Sequence, residues 1–433
     1  MKEARSFLGW SGFVFLLRMG GAVTVLLTQV LLARWMGAYE LGVYVFAFSW
    51  LILLSTAVGL GFPMASMRIV GKAQHEGRLG EIRGFVRRGR GISLAVGLVV
   101  ALLGIAVVSW LPLGLDPDRR QVFVLAFAAV PLLGVMRMHE RVAQAHGWFV
   151  LAMLPNMLLR PVLFLLLVWV VVRAGERLDA RGAMLLHAGL ILGMAVLHFV
   201  VFARRLAGVL GRPAVTYRDR EWFATAMPLL IVTLFSQYFA DLDITVVGLL
   251  LPPDQLALYN AGYRVALVIT FGFLAVNAVL MPRVARLYAA GDTAAIQRVV
   301  RLATLVTFTG AVLAMAVLVV FGREILALFG SEFVPAYRSM LILAASQVAL
   351  AAIGPVVILL SATGHQRQCL RVFAWSLLAL VVSSLVLAGW FGMEGAAWAV
   401  FAVTLFWGFS LRRAVRESMG IESSVLNLRP VSA

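Results

Sequence analysis

The stretch GISLAVGLVVALLGIAVVSWLPL (residues 91–113) contains no charged side chain and directly follows the basic segment RGFVRRGR (residues 83–90). About 20 apolar residues are enough to cross the hydrocarbon of a bilayer as an α-helix. Comparable stretches recur along the whole chain of 433 residues, which is 62% hydrophobic and 13% charged. Since a soluble domain carries roughly 25% charged residues, the sequence predicts an all-α polytopic membrane protein.

Apolar windows and the polar breaks between them predict about twelve transmembrane helices. The predicted spans are residues 9–33, 42–62, 91–113, 121–138, 149–172, 183–202, 223–251, 257–281, 302–322, 338–361, 371–391 and 393–411. The first span follows Lys2 and Arg5 and continues to Ala33 without a small-residue cleavage site. We therefore interpret it as a retained helix and not as a signal peptide.

Lysine and arginine are distributed unevenly over the connecting segments. With the N-terminus inside, 26 of the 37 basic residues fall in inside segments and 8 in outside segments. Because Lys and Arg are retained on the cytoplasmic side, both termini are predicted to be cytoplasmic. The richest inside segment, residues 68–90, is expected to lie partly as an amphipathic helix on anionic membrane lipids.

An internal repeat relates the two halves of the chain. ELGVY (residues 40–44) aligns with QLALY (255–259) at an offset of 215, and GA (182–183) aligns with GA (395–396) at 213. We predict two six-helix bundles, residues 1–208 and 209–416, followed by a cytoplasmic tail, residues 417–433. Six spans per half give both bundles the same orientation, which places an expected substrate site between them near the midplane.

Several kinds of chemistry have no sequence signal. No phosphate-binding G-x-x-x-x-G-K-[ST] motif occurs, and His139 and His146 lack the i,i+4 spacing of a zinc site. No predicted outside loop exceeds about 16 residues, so we expect a carrier and not an enzyme, without a metal or other cofactor. The net charge of +17 follows membrane topology, and nucleic acid is not an expected partner.

Ionisable residues within spans are costly and are therefore the first candidates for function. Five stand out away from the span ends: Arg18, Arg160, Asp241, Asp243 and Arg264. Polar residues that share a helix face with them extend the candidate substrate-binding set to Arg18, Gln29, Gln237, Asp241, Asp243, Asn260 and Arg264.

A structural role is open for several of these residues. Asp243 and Arg264 are each expected ~11–12 Å from the outer surface, so an ion pair between an aspartate and Arg264 competes with a transport role. Arg160 precedes Pro161 near a predicted helix break, and we interpret it as structural. Arg18 has no acid nearby in its own helix and is the preferred functional candidate.

Several short segments resemble a known transporter family. They are LLARWMG (residues 31–37), ELGVY (40–44), MPL (227–229), YNAGYR (259–264) and MP (281–282). In this order and spacing they resemble the polysaccharide-precursor flippases of the O-antigen translocase type. Those proteins share a superfamily with the multidrug and toxic-compound extruders, and the similarity covers essentially the whole chain.

The resemblance implies a V-shaped pair of bundles that works by alternating access. The implied substrate is an oligosaccharide on undecaprenyl pyrophosphate, carried from the cytoplasmic to the outer leaflet for O-antigen lipopolysaccharide, exopolysaccharide or another glycan. Arginine is suited to a pyrophosphate at membrane depth, because its forked donors stay charged when desolvated. The sequence leaves open whether a polysaccharide polymerase or chain-length machinery works beside the protein.

Three alternatives are weighed against this interpretation. A multidrug antiporter exchanging drugs for H⁺ or Na⁺ is expected to need an acid in the first bundle, and the sequence predicts no Asp or Glu well inside the first six spans. The lipid II flippases typically have two more helices. A membrane-embedded glycan polymerase or transferase is disfavoured by the short outer loops.

Overall fold

The computed structural model describes residues 2–112, 116–211 and 213–425, without the side chains of residues 2–16, 18, 236, 237, 240, 271, 274, 275, 278, 366 and 367. Regular secondary structure in this part of the chain is helical throughout. A helix satisfies its own backbone N–H and C=O groups, as hydrocarbon requires. The all-α polytopic fold is therefore confirmed, and each of the twelve predicted spans falls largely on helix.

Eight described segments are long and apolar enough to cross a membrane. Two of them, Met19–His75 with 57 residues and Gln368–Met419 with 52 residues, are each long enough for two crossings, since one crossing takes about 20 residues. The orientation of the termini stays a prediction.

The chain divides into two compact units, Met1–Thr245 and Val246–Ala433. The helices of the first unit are α1 (Lys2–Ala57), α2 (Phe62–His75), α3 (Leu79–Trp110), α4 (Pro117–Ala145), α5 (Phe149–Leu154), α6 (Arg160–Arg173), α7 (Ala180–Leu210) and α8 (Asp219–Val247), the last as far as Thr245. The predicted bundle and tail boundaries stay predictions, because compact packing units need not coincide with six-helix bundles.

The helices of the first unit are irregular at three places, one between predicted spans and two inside them. Gly37 divides α1 into two helices through its backbone angles, φ 78° and ψ 170°. A π-helical turn, Pro155–Leu159, joins α5 to α6. Tyr238 interrupts α8 with φ −123° and ψ 21°. These breaks decide which side chains turn towards the interior of the unit.

The described part of the second unit contains six further α-helices. They are α9 (Pro253–Ala266), α10 (Phe271–Ala289), α11 (Thr293–Ala327), α12 (Tyr337–Ile353), α13 (Val356–Ala362) and α14 (Gln366–Met419). A 3₁₀ turn, Leu267–Thr270, joins α9 to α10. Gly392, with φ 56° and ψ −136°, divides α14 into two helices.

The internal repeat is present in the structure as repeated elements and repeated contacts. Helices α3 and α11 begin 214 residues apart, at Leu79 and Thr293. In the first unit, Arg83 Nη1 donates to the Pro213 carbonyl at 2.9 Å. In the second, Gln297 Nε2, 214 residues after Arg83, donates to the Glu422 carbonyl at 2.6 Å. In each unit this contact ties a segment that follows a long helix, α7 or α14, to the start of α3 or α11.

Helix α4 is largely enclosed by other helices of the first unit. It packs against α1, α2, α3, α5 and α7, and 67% of its most apolar 18-residue window is buried, compared with 22% for α3. Exposed leucines such as Leu102 and Leu103 lie on α3 instead, as expected for a lipid-facing surface. The polar residues Arg137, Glu140 and Arg141 near the end of α4 are partly buried as a result.

The turn between α1 and α2 approaches α8 very closely. Gly61 has a positive φ of 78°, and a Cβ atom placed on it would lie 1.9 Å from the Ala226 carbonyl oxygen. Gly77 has a similar φ of 66° but no atom within 4 Å of such a Cβ. The two glycines therefore separate the cost of a left-handed backbone from the cost of a close contact.

We expect Gly61→Ala to destabilise the protein by about 2–4 kcal/mol, because it adds steric overlap to left-handed strain. Gly77→Ala is the matched control and is expected to cost only ~1 kcal/mol. Thermal unfolding of both variants in detergent measures the difference. Equal losses of stability would contradict the close contact between Gly61 and Ala226.

The segment after α14 is fixed to the second unit by several hydrogen bonds. Thr304 Oγ1 donates to the Ser423 carbonyl at 2.9 Å, and Arg412 Nε lies 2.6 Å from Glu422 Oε1. Partial burial raises the pKa of Glu422, but the hydrogen bond and charge of Arg412 outweigh this effect and leave the pKa below its usual value. The folded protein therefore favours the ionised form of Glu422.

A carboxyl group whose pKa is lowered by folding stabilises the protein above its unfolded pKa and loses that effect as the pH falls. The stability difference between wild type and Glu422→Gln is therefore expected to shrink below about pH 4.5, the ordinary value for glutamate. Unfolding temperatures measured from neutral to acidic pH test this. A difference that is constant with pH would show that the Glu422 charge does not stabilise the fold.

Candidate functional site

A π-helical turn shapes the interior of the first unit. In Pro155–Leu159 the Arg160 N–H bonds to the Pro155 carbonyl, which is one residue further than in an α-helix. A Cβ atom on Gly21 of α1 would lie 2.1 Å from the Met157 carbonyl oxygen, so glycine is needed where α1 meets this turn. Single π turns within helices occur often at functional sites. Near Arg160, where the sequence predicts a helix break, the structure has a π turn within a continuous helical segment.

The π turn places Arg160 among polar side chains from three other helices. Arg160 is half-buried and interacts electrostatically with Arg137, Glu140, Tyr44 and Tyr238. Its Nη1 atom is buried and has no hydrogen-bond partner among the described residues. Because an unsatisfied buried donor is costly, this atom is suited to receive an acceptor from a ligand.

Glu140 on α4 is the acid nearest to these arginines. Its carboxylate accepts a hydrogen bond from Asn156 Nδ2, in the π turn. It also interacts electrostatically with Arg137, Arg160 and Arg141. Three arginines therefore act on one carboxylate, and we call these five residues, Arg137, Glu140, Arg141, Asn156 and Arg160, the cationic cluster.

Arg137 connects the cationic cluster to α1 and α8. Its Nε donates to Ser55 Oγ at 3.2 Å, and its Nη1 donates to the Tyr238 hydroxyl. The guanidinium carbon also lies 4.9 Å from the centroid of the Tyr238 ring, within the range of a cation–π interaction. Since Tyr238 is the residue at which α8 departs from helical geometry, Arg137 contacts the break itself.

An aromatic wall adjoins Arg160. The Tyr44 hydroxyl and His187 Nδ1 are 2.9 Å apart, and both side chains are buried. The rings of Phe48 and Phe164 lie 4.8 Å and 4.5 Å from the His187 ring. This wall excludes water from one side of the arginines, which strengthens their interaction with any anion.

The cationic cluster is suited to binding an oxyanion. Arginine remains protonated when it is desolvated and offers forked N–H donors that match phosphate oxygens. Within the cationic cluster, three arginines stand against one glutamate. Guanidinium groups attract anions and repel cations, so the arrangement favours an anionic ligand over a cation.

The predicted site residues are distributed over both units. Gln29 and Asp243 are buried and Asp241 is half-buried in the first unit, whereas Asn260 is buried and Arg264 half-buried in the second. The side chains of Arg18 and Gln237 lie outside the described residues. The structure does not describe one site that brings all seven together, and their roles in substrate binding stay predictions.

Sequence reasoning missed Arg137 and Glu140 and favoured a structural role for Arg160. It predicted no acid well inside the first six spans. Glu140, however, lies within α4 and accepts a hydrogen bond from Asn156 in the π turn. The predicted span ended at residue 138 because apolarity falls there. A better signal was that residues 139–146 contain neither glycine nor proline. The helix α4 can therefore continue to Ala145.

The chain matches two protein-family models. The model described as polysaccharide biosynthesis protein matches residues 10–288, and the model described as MatE matches residues 228–393. No curated protein gives a significant sequence match.

Solved transporter structures resemble the whole chain. One is an inward-facing multidrug resistance MATE family transporter of the MOP superfamily, with a TM-score of 0.75, 12% identity, and 92% of this chain and 94% of that chain covered. Another is the lipid II flippase MurJ in an inward closed conformation, with a TM-score of 0.73 and 12% identity. The match covers 93% of this chain and 87% of that chain. A third is a MOP superfamily transporter from Pyrococcus furiosus, with a TM-score of 0.64, 13% identity and 94% of each chain covered. At these identities the likeness shows the fold alone.

We expect Tyr44→Phe to lower stability by about 1–3 kcal/mol, because it leaves the buried Nδ1 atom of His187 without its partner. Tyr337→Phe is the control, since the Tyr337 hydroxyl, which donates to the Val319 carbonyl at 2.7 Å, is in an exposed position. Thermal unfolding in detergent compares the two. A loss for Tyr337→Phe as large as that for Tyr44→Phe would contradict this account of the wall.

Proposed function

Because the chain belongs to the polysaccharide biosynthesis protein family, we propose that it is a flippase for a lipid-linked polysaccharide precursor. In this proposal the substrate is an oligosaccharide on undecaprenyl pyrophosphate. The protein carries it by alternating access from the cytoplasmic to the outer leaflet of the bacterial inner membrane. It acts as a transporter and not as an enzyme.

The observation that carries the proposal is the excess of positive charge in the cationic cluster. A pyrophosphate linked to lipid and sugar is anionic, and the arginines of the cluster outnumber its one glutamate. Arg160 Nη1 and the guanidinium of Arg137 supply donors in the interior. The proposal assigns the pyrophosphate to these two residues.

The membrane potential favours movement of this head group outward. Each charge that crosses 100 mV changes the free energy by ~2.3 kcal/mol. Two negative charges that leave a negative cell interior therefore gain about 4–5 kcal/mol. The head group alone does not require a coupling ion, and its main cost is removal from water, which the arginines offset.

A multidrug cation antiporter is the second candidate, and Glu140 is the observation that favours it. An acid inside the first unit is a feature that such an exchanger is expected to need. Glu140, however, is within electrostatic range of Arg137, Arg141 and Arg160. Three guanidinium groups repel an organic cation at this position, so the charge balance favours the anionic lipid.

We expect Arg137→Gln and Arg160→Gln each to reduce transport by about tenfold or more, since a hydrogen bond to a charged group contributes about 1.5–3 kcal/mol. The assay is protein-dependent exposure of an undecaprenyl-pyrophosphate oligosaccharide on the opposite leaflet of proteoliposomes. Arg173→Gln is the control, because Arg173 is exposed at the other end of α6. Arg18→Ala and Arg264→Ala test the predicted arginines in the same assay.

Full transport activity of both Arg137→Gln and Arg160→Gln would contradict the assignment of the pyrophosphate to these two arginines. If the wild type moves no lipid-linked glycan but exchanges a cationic dye for protons, the antiporter replaces the flippase. Folding of each variant is verified by its elution profile and unfolding temperature before reconstitution.

A further inference from the structure

Glu140 carries the same sign of charge as the substrate that the arginines are proposed to bind. A site that served only to bind an anion would not be expected to contain a carboxylate, because a like charge weakens the binding of the ligand. Yet the Glu140 carboxylate interacts electrostatically with Arg137, Arg160 and Arg141. Its presence therefore requires an explanation beyond anion binding.

Neutral partners hold the charged groups of the cluster in position. The Glu140 carboxylate accepts its hydrogen bond from the amide of Asn156. Arg137 donates to the hydroxyls of Ser55 and Tyr238. Because these neutral contacts fix the geometry, the electrostatic attraction between Glu140 and the arginines can be redirected to a ligand without rearranging the cluster.

We propose that Glu140 is a resident counter-anion that competes with the pyrophosphate for Arg137 and Arg160, an inference that rests on the proposed function. When no substrate is bound, Glu140 compensates part of the cationic charge, which is costly to leave unpaired in the interior. When the pyrophosphate is bound, Glu140 repels it and speeds its dissociation. Glu140 is thus a positioning residue that sets the balance between affinity and release.

A carrier needs this balance because it must release the substrate that it binds. Differences in affinity between variants of one binding site arise mostly from the dissociation rate. A site of three arginines without Glu140 would hold a pyrophosphate longer in each cycle. The inference therefore gives opposite expected changes in affinity and in maximal rate, which a purely structural role does not produce.

The test uses Glu140→Gln, which removes the charge and keeps an oxygen that can accept from Asn156. We expect the Kd for undecaprenyl pyrophosphate, measured on the full-length protein in detergent, to fall about tenfold, as for the loss of one nearby like charge. The maximal transport rate in proteoliposomes is expected to fall several-fold. Glu176→Gln is the control for the same change of charge, because Glu176 is exposed in the connector between α6 and α7.

A second variant tests the inference in the other direction. Asn156→Asp adds a negative charge next to Glu140 with little change in size, and it is expected to raise the Kd by about tenfold. This variant carries the test if Glu140→Gln does not fold. Unfolding temperatures of both variants identify such a case.

The outcomes separate this inference from the proposed function. If the wild type neither binds undecaprenyl pyrophosphate nor exposes the glycan, the proposed function fails. If the wild type does both but Glu140→Gln leaves Kd and maximal rate unchanged, only the counter-anion role is overturned. A weaker affinity together with a lower rate in Glu140→Gln would also overturn it, because Glu140 would then support binding.

Discussion

Inside a bilayer a backbone N–H or C=O group has no water to bind, so every departure from α-helix needs a local substitute. This chain departs at a π turn in Pro155–Leu159, at a 3₁₀ turn in Leu267–Thr270, and at single residues such as Tyr238. Each turn keeps most backbone groups paired while it changes the direction of the side chains that follow. The same constraint applies to charge, since a guanidinium in the interior also needs a partner.

The cationic cluster lies where these two constraints meet. The π turn brings Asn156 to Glu140 and precedes Arg160, and the break in α8 is the residue that Arg137 contacts. Irregular backbone in a membrane protein is tolerated where it is buried in protein or lines a cavity. The site therefore depends on two irregular places in the helices, the π turn and Tyr238.

The two halves of the chain share contacts as well as helices. Arg83 and Gln297 are 214 residues apart, and both donate to the carbonyl of a segment that follows a long helix. The side chains differ in charge but not in this role, since the acceptor is a backbone oxygen in each case. The cationic cluster, by contrast, lies wholly in the first unit, so the repeated scaffold carries different chemistry in its two halves.

The sequence by itself determined the membrane class, the positions of the helical spans and the internal repeat, because apolar length and alternation are local properties of composition. It also indicated Arg160 and an irregularity beside it. Only the tertiary structure decided that Arg137 and Glu140 belong to the interior and not to a basic loop. Hydropathy measures how polar a segment is, whereas the partners of a charge come from helices distant in sequence. For Arg137 these are Ser55 on α1 and Tyr238 on α8, which only packing brings together.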